Sequence, residues 1–164
     1  MSAAPKASPP VFHPVSAPDY LPTPQLRELQ LMRLKAIVAR GWDRVPLERK
    51  RMEARGLTPE HIASLPDIAK LPFTVKSDLR DTYPFGLFAS PMEEIVRLHA
   101  SSGTTGKPIV VAYTQQDVNV WTSVMVRSFA ICGLHHGDVI QNAYGYGLFT
   151  GGLGAHYGGE GLGA

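Results

Sequence analysis

Two patterns of apolar and polar residues divide this chain, and the change between them comes near residue 91. Between residues 24 and 82, apolar side chains recur every three or four positions between prolines and glycines, which is the spacing of short amphipathic helices. After Pro91 the apolar runs become shorter and β-branched, as in strands. The fold class predicted is α/β: a small helical bundle followed by the first strands and helices of a larger domain that is truncated.

The first half is predicted to contain three short helices. Threonine caps helix starts and glycine ends helices, so the first helix should begin at Thr23-Pro24 and end at Gly41. A second is predicted over residues 46–55 and a third after Thr58-Pro59. Together they make residues 24–90 a helical microdomain.

The residues on either side of these helices carry further expectations. Residues 1–23 are rich in proline, alanine and serine, which predicts an extended arm. The basic residues of the microdomain are interpreted as a solvated face rather than a binding patch; they are Arg44, Arg49, Lys50, Arg51 and Arg55.

The pattern of the second half, residues 91–164, predicts the start of an α/β domain. Strands are expected over residues 94–99, 108–113 and 138–143. Between the last two, Thr114 and Asp117 have capping-box spacing, so a helix should run from there to Ile131. Residues 145–164 hold nine glycines. A helix over residues 155–164 is therefore expected to be marginal, and the chain looks cut at this end.

Composition narrows the class of protein. With 164 residues, 44% hydrophobic and 18% charged, the chain fits a globular domain rather than a disordered one. A net charge of +2 is too small to predict nucleic-acid or anionic-membrane partners. No apolar run reaches the roughly 20 residues of a membrane span. A single cysteine, Cys132, excludes an internal disulfide and fits a reducing cytoplasm.

The segment from Ser101 to Lys107 is the strongest candidate for binding chemistry. Its small residues let backbone N–H groups approach a polyphosphate, hydroxyl groups add donors, and the lysine adds positive charge. It is not a Walker A loop, because Ser101 and Pro108 stand where that motif requires glycine and Ser or Thr. From these residues alone, an ordinary hairpin loop remains an equal interpretation.

These residues also carry a resemblance to a known family. The loop, with Pro108 after Lys107, is similar to the phosphate loop of the adenylate-forming superfamily, and its departures from the general motif resemble the phenylacetate–CoA ligase branch. Four further blocks agree with that branch: Leu71-Pro72-Phe73-Thr74, Lys76 with Asp78-Leu79-Arg80, Tyr83-Pro84-Phe85-Gly86-Leu87-Phe88, and Tyr144 to Gly152. The resemblance implies that residues 91–164 are the start of an adenylation domain.

The resemblance implies binding residues and substrates. The phosphates of ATP would be held by Ser101, Ser102, Gly103, Thr104, Thr105, Gly106 and Lys107. The aryl ring of the acid would lie against Tyr144, Tyr146, Phe149, Gly151 and Gly152, although composition alone favours a packing role for these rings. ATP, Mg²⁺ and coenzyme A would be co-substrates of the full-length enzyme. No catalytic residue and no metal site is expected within this chain.

Other interpretations stay open. The acid could be another aryl or aryl-acetic acid, and the chain could be a non-catalytic module that binds a partner. Exposed apolar surface and an unpaired sheet edge predict a homo-oligomer. Cys132, His135 and His136 do not form a closed set of metal ligands, and His99 is interpreted as a strand end, with a ligand-orienting role as the alternative.

Overall fold

The computed structural model describes residues 14–101, 108–147 and 150–164. The helices are α1 (Thr23–Arg44), α2 (Pro46–Glu53), α3 (Lys76–Asp81), α4 (Gln115–Ile131) and α5 (Thr150–Leu162). The strands are β1 (Ile95–Ala100) and β2 (Val110–Thr114). Short 3₁₀ segments cover Pro14–Tyr20, Pro59–His61, Leu65–Lys70 and Met92–Glu94. In this part of the chain no helix is long and apolar enough to cross a membrane.

The end of α1 differs from the prediction. The helix continues through Gly41 to Arg44 and ends because Val45 is extended, with φ −116° and ψ 101°. Val45 precedes Pro46, and the proline ring disfavours helical geometry in the residue before it. Gly41 was therefore the wrong stop signal, and Pro46 was the right one. Proline in the first turn begins both α1 and α2, as expected.

A small apolar core holds the helical part together. Val38 of α1, Met52 of α2 and Ile62 are buried, and Leu34, Trp42, Leu57 and Leu71 pack around them. The core is local in sequence, because all three buried residues come from a span of 25 residues (38 to 62). Such a core follows from the helical spacing of the apolar residues.

Two of the basic residues expected to be solvated instead tie loops to α2. The Arg51 guanidinium donates to both carboxylate oxygens of Asp78, each at 2.6 Å, and to the Phe73 carbonyl at 2.9 Å. Arg55 donates to the carbonyls of Lys70 and Leu71. The interpretation of a purely solvated face was therefore wrong for Arg51 and Arg55, because distant carbonyls and a carboxylate converge on them.

The N-terminal arm is partly helical where the structure describes it. Pro14–Tyr20 forms a 3₁₀ helix rather than an extended strand of chain. Its Asp19 pairs with Arg127 of α4 through two hydrogen bonds, so the arm lies against the second half of the molecule. The predicted domain limits at residues 23 and 90 stay predictions.

The sheet has two strands rather than three. β1 and β2 pair antiparallel with Leu98 opposite Ala112 and His99 opposite Val111. The strand predicted over residues 138–143 is absent: this segment is irregular. A strand requires a neighbour for its backbone hydrogen bonds, and within the described residues β1 and β2 pair only with each other.

Helix α4 follows the prediction closely. The Thr114 hydroxyl accepts from the Asp117 N–H at 3.2 Å, and the Asp117 carboxylate accepts from the Thr114 N–H at 2.8 Å, which is a capping box. The helix ends at Ile131, and the φ of 88° at Gly133 just beyond it allows the Leu134 N–H to reach the Phe129 carbonyl. Val118 and Val126 are its buried side chains.

Helix α5 corrects the expectation that residues 155–164 would be marginal. Thr150–Leu162 is one helix, and Gly154, Gly158 and Gly161 face α4 at close range. A Cβ on Gly154 would lie 2.6 Å from the Trp121 ring, and one on Gly158 would lie 2.5 Å from Met125 Cβ. The low helix propensity of glycine is therefore offset by backbone packing that any side chain would block.

Candidate functional site

Only the first residue of the candidate phosphate loop lies within the described residues. Ser101 is exposed at the end of β1, and its N–H donates to the Ile109 carbonyl at 2.9 Å. Its hydroxyl oxygen accepts from the Ile109 N–H, also at 2.9 Å. Ser101 and Ile109 thus close the base of the loop as a hairpin. Ser102, Gly103, Thr104, Thr105, Gly106 and Lys107 lie outside the described residues.

The strand that enters the loop carries a buried histidine. His99 is 1% exposed, with its ring centroid 5.3 Å from that of Tyr113 on β2 and 5.6 Å from that of Trp121 on α4. The ring of Tyr113 meets it edge-on. Burial also raises the pKa of the Tyr113 phenol, so this side chain remains neutral. His99 is therefore part of an aromatic cluster with Tyr113 and Trp121, two residues before Ser101 along the chain.

Two residues earlier, Arg97 connects β1 to α5. Its guanidinium donates to the Tyr157 hydroxyl and lies 4.7 Å from the centre of that ring. This combines a hydrogen bond with a cation–π contact. The strand leading to the phosphate loop is thereby fixed to α5 as well as to α4.

The glycine-aromatic segment lies at the start of α5. Tyr144 is 64% exposed and Tyr146 51% exposed, which leaves both rings open to contact. Gly152 is buried beside the first of them: a Cβ there would lie 3.2 Å from Tyr144 Cβ. Gly151 is exposed. Phe149 lies outside the described residues.

A polar chain surrounds the Tyr146 phenol. Its oxygen accepts from Asn142 Nδ2 at 3.2 Å and lies 3.2 Å from His156 Nδ1. The other ring nitrogen of His156 lies 3.3 Å from a Glu160 carboxylate oxygen. Asn142 also donates to the Gly152 carbonyl at 2.7 Å. This network fixes Tyr146 and the first turn of α5. Of the two tyrosine side chains, that of Tyr144 is the more exposed.

Helix α5 brings the two candidate regions together. Tyr157 contacts Arg97 of the strand before the loop, and the adjacent His156 contacts Tyr146 of the glycine-aromatic segment. Sequence reasoning missed Asn142, His156 and Tyr157, because the spacing of His156 and Glu160 has meaning only if α5 is a helix. Among the described residues no group of three His, Cys, Asp or Glu side chains could hold a metal ion.

Known proteins are similar to this chain over most of its length. Three curated proteins named phenylacetate–coenzyme A ligase, from Aromatoleum evansii, Pseudomonas putida and Thermus thermophilus, are 57%, 57% and 54% identical to the chain. The matches cover 85%, 84% and 88% of it. Most of the chain is thus similar to one part of the phenylacetate–coenzyme A ligases. It spans about a third of these relatives' length, 32%, 31% and 33% respectively.

Solved structures place the same fold in acyl-CoA ligases. A 2-hydroxyisobutyryl-CoA ligase, solved with its acyl-AMP and CoA, matches 87% of the chain with a TM-score of 0.80 and 30% identity. The match covers 31% of that structure. The same ligase in an open conformation gives a TM-score of 0.79 at 28% identity. The mixed helical fold with a small sheet is thus that of part of an adenylate-forming ligase, as predicted. No family model matches the chain.

Proposed function

We propose that the full-length phenylacetate–coenzyme A ligase of which this chain is a segment joins phenylacetate to coenzyme A at the expense of ATP. The observation that carries the proposal is the 53–57% identity to four curated proteins of that name over about 85% of the chain. A carboxylate oxygen of phenylacetate attacks the α-phosphorus of ATP, and pyrophosphate leaves. The thiolate of coenzyme A then attacks the carbonyl of phenylacetyl-AMP, and AMP leaves.

In this proposal the loop of residues 101–107 holds the β- and γ-phosphates while charge builds on the leaving pyrophosphate, with Mg²⁺ bound to the nucleotide. Backbone N–H groups, hydroxyl groups and Lys107 supply the contacts. The pairing of Ser101 with Ile109 supports it, because two hydrogen bonds of 2.9 Å hold the residues on either side of the loop together.

The acid is proposed to bind against the glycine-aromatic segment. Tyr144 and Phe149 would contact the aryl ring, Tyr146 more weakly, and Gly151 and Gly152 would leave room for it. Exposure of the Tyr144 ring and of Gly151 supports this arrangement. The anchoring of Tyr146 by Asn142 and His156 supports a smaller part for that ring in binding.

Release of AMP by the full-length gene product tests the activity. With MgATP and coenzyme A present, phenylacetate should stimulate AMP release and benzoate should not. Stimulation by benzoate alone would assign a different aryl acid, and no stimulation by any aryl acid would reject the ligase activity. The 164-residue chain alone should release no AMP, because it spans only a third of the relatives.

Self-association is proposed on the open side of the hairpin. A groove of about 820 Å³ lies there, lined by Ile37 and Arg40 of α1, by Val96 of β1 and by Val111 of β2. Ile37, Val96 and Val111 are 61%, 53% and 43% exposed. Among the described residues the outer edges of β1 and β2 pair with no further strand, and apolar surface beside such an edge favours pairing with a second copy. Light scattering of the 164-residue chain should give a dimer or larger mass; a monomer at high concentration would reject this.

A cytoplasmic location stays a prediction.

A further inference from the structure

Strand β1 contains an unusual set of buried nitrogen atoms. Within the described ranges, three buried side-chain nitrogens lack a hydrogen-bond partner: Nη1 of Arg97 and both ring nitrogens of His99. The two residues are separated by one position in a strand, so their side chains lie on the same face about 7 Å apart. Unpartnered buried polar atoms are rare in native proteins, and here they are clustered.

These atoms reduce the stability of the fold. A buried donor without a partner loses its hydration and gains nothing in return, whereas an apolar side chain of similar shape would fill the same space without loss. His99 is surrounded by Tyr113 and Trp121, whose rings would pack equally well against leucine. Residues that break a packing rule in this way are commonly kept for function.

The charge of Arg97 points to the chemistry of the missing partner. Its guanidinium contacts the Tyr157 hydroxyl, and among the described residues no carboxylate lies within ion-pair distance of it. Arginine donors bind most strongly to anionic oxygens. An oxyanion would therefore satisfy the free guanidinium nitrogen and an imidazole donor together.

The position of the pair relates it to the candidate loop. β1 runs directly into Ser101, two residues beyond His99 and on the same side of the strand. We propose that Arg97 and His99 form an oxyanion-binding pair that receives a phosphate or carboxylate oxygen of a substrate in the occupied enzyme. The inference rests on the proposed function for the identity of the substrates, ATP and an aryl acid. His99 is thus assigned its alternative, ligand-related role.

Thermal unfolding of the full-length gene product gives a test that does not need activity. Pyrophosphate and phenylacetate are added separately, and the rise in Tm is compared between the wild type and His99→Leu. The variant should unfold at the same or a higher temperature without ligand, because the unpartnered nitrogens are gone. The rise in Tm caused by one of the two anions should fall by about half or more.

Kinetics distinguish the two sources of the oxyanion. In His99→Leu, kcat/KM should fall about tenfold or more, as expected for loss of a charge-assisted hydrogen bond. A loss of kcat/KM that comes from a higher KM for ATP alone assigns a phosphate oxygen, and one that comes from a higher KM for the acid alone assigns the carboxylate. His99→Gln retains an amide donor and should recover part of the loss. His135→Leu, at a histidine whose side chain is 68% exposed, is the matched control and should leave both constants unchanged.

The outcomes separate this inference from the proposed function. Unchanged anion-induced shifts and unchanged kinetics in a folded His99→Leu protein would overturn the inference while leaving the ligase activity intact. A wild type that releases no AMP would reject the ligase, yet the pyrophosphate shift would still test His99. If His99→Leu does not fold, His99→Gln and Arg97→Met answer the same question. An anion-induced rise in Tm as large as that of the wild type in both variants would overturn the proposal.

Discussion

The helical part of the molecule, residues 23–82, and the part built from β1, β2, α4 and α5 are stabilised in different ways. The first buries side chains around Val38, Met52 and Ile62. In the second, the α5 backbone lies so close to the side chains of α4 that glycine is required at residues 154 and 158. One kind of packing loses stability when side chains are shortened, and the other when they are added.

The largest effect is expected from shortening a side chain in the helical core. Met52→Ala removes a side chain that is 2% exposed and should lower the free energy of unfolding by about 2–5 kcal/mol. Met32→Ala makes the same change in α1 at a residue that is 61% exposed, and it should have little effect. Urea unfolding of both variants measures the difference. Equal losses would show that the helical part has no side-chain core of its own.

The next effect comes from adding a methyl group to α5. A Cβ on Gly158 would lie 2.5 Å from Met125 Cβ, so Gly158→Ala should lower the unfolding free energy by about 1–3 kcal/mol. A Cβ on the adjacent Gly159 meets only Ile140 Cδ1 at 3.5 Å. Gly159→Ala should therefore stabilise the chain by about 0.5–1 kcal/mol through helix propensity.

Gly158→Ala and Gly159→Ala are expected to change the free energy of unfolding in opposite directions, and this difference tests the close packing. The two variants add the same atom to neighbouring residues of one helix, and their unfolding can be followed by circular dichroism in urea. If both variants stabilise the chain, α5 does not pack against α4 through its glycines. If both destabilise it, glycine is needed along α5 for a reason other than contact with Met125.

The same contrast explains what the sequence could predict. Spacing of apolar residues and prolines located α1 and α2, and the Thr114–Asp117 box located α4, since these signals are local. Helix α5 was underestimated because propensity counts each glycine as a loss, while the contact with Trp121 and Met125 that offsets it lies 30 residues away. The strand expected over residues 138–143 failed for a related reason: no local signal reports whether a neighbouring strand is present.

For the candidate site, as for the fold, the sequence reports local features and misses contacts between distant residues. Ser101 and Tyr144 are candidates from composition and resemblance and stay predictions, whereas the contacts of Arg97 with Tyr157 and of Tyr146 with His156 depend on α5. A histidine in a strand gives no sign in the sequence that both ring nitrogens will be buried without a partner. That information exists only once Tyr113 and Trp121 are placed around His99.

The smallest expected effect is the pH dependence contributed by one ion pair of the helical part. The hydrogen bonds from Arg51 lower the pKa of the Asp78 carboxyl below its usual value, with a further contribution from the Val75 N–H. The unfolded chain therefore binds a proton at Asp78 at a higher pH than the folded chain does. The stability that this pair provides is present above the unfolded pKa of about 3.9 and is lost as the pH falls through the folded pKa.

Replacing Asp78 with asparagine should remove that pH dependence. The difference in unfolding free energy between the wild type and Asp78→Asn should be largest at pH 6 and should shrink steadily below about pH 4. Asp43→Asn is the control, because Asp43 is exposed and lies 4.0 Å from Arg49; its difference from the wild type should be small at both pH values. If the difference in unfolding free energy between the wild type and Asp78→Asn stays constant down to pH 2, Arg51 does not stabilise the charged carboxylate. The helical part would then rest on its apolar core alone, and its contrast with the glycine-packed helices would be sharper.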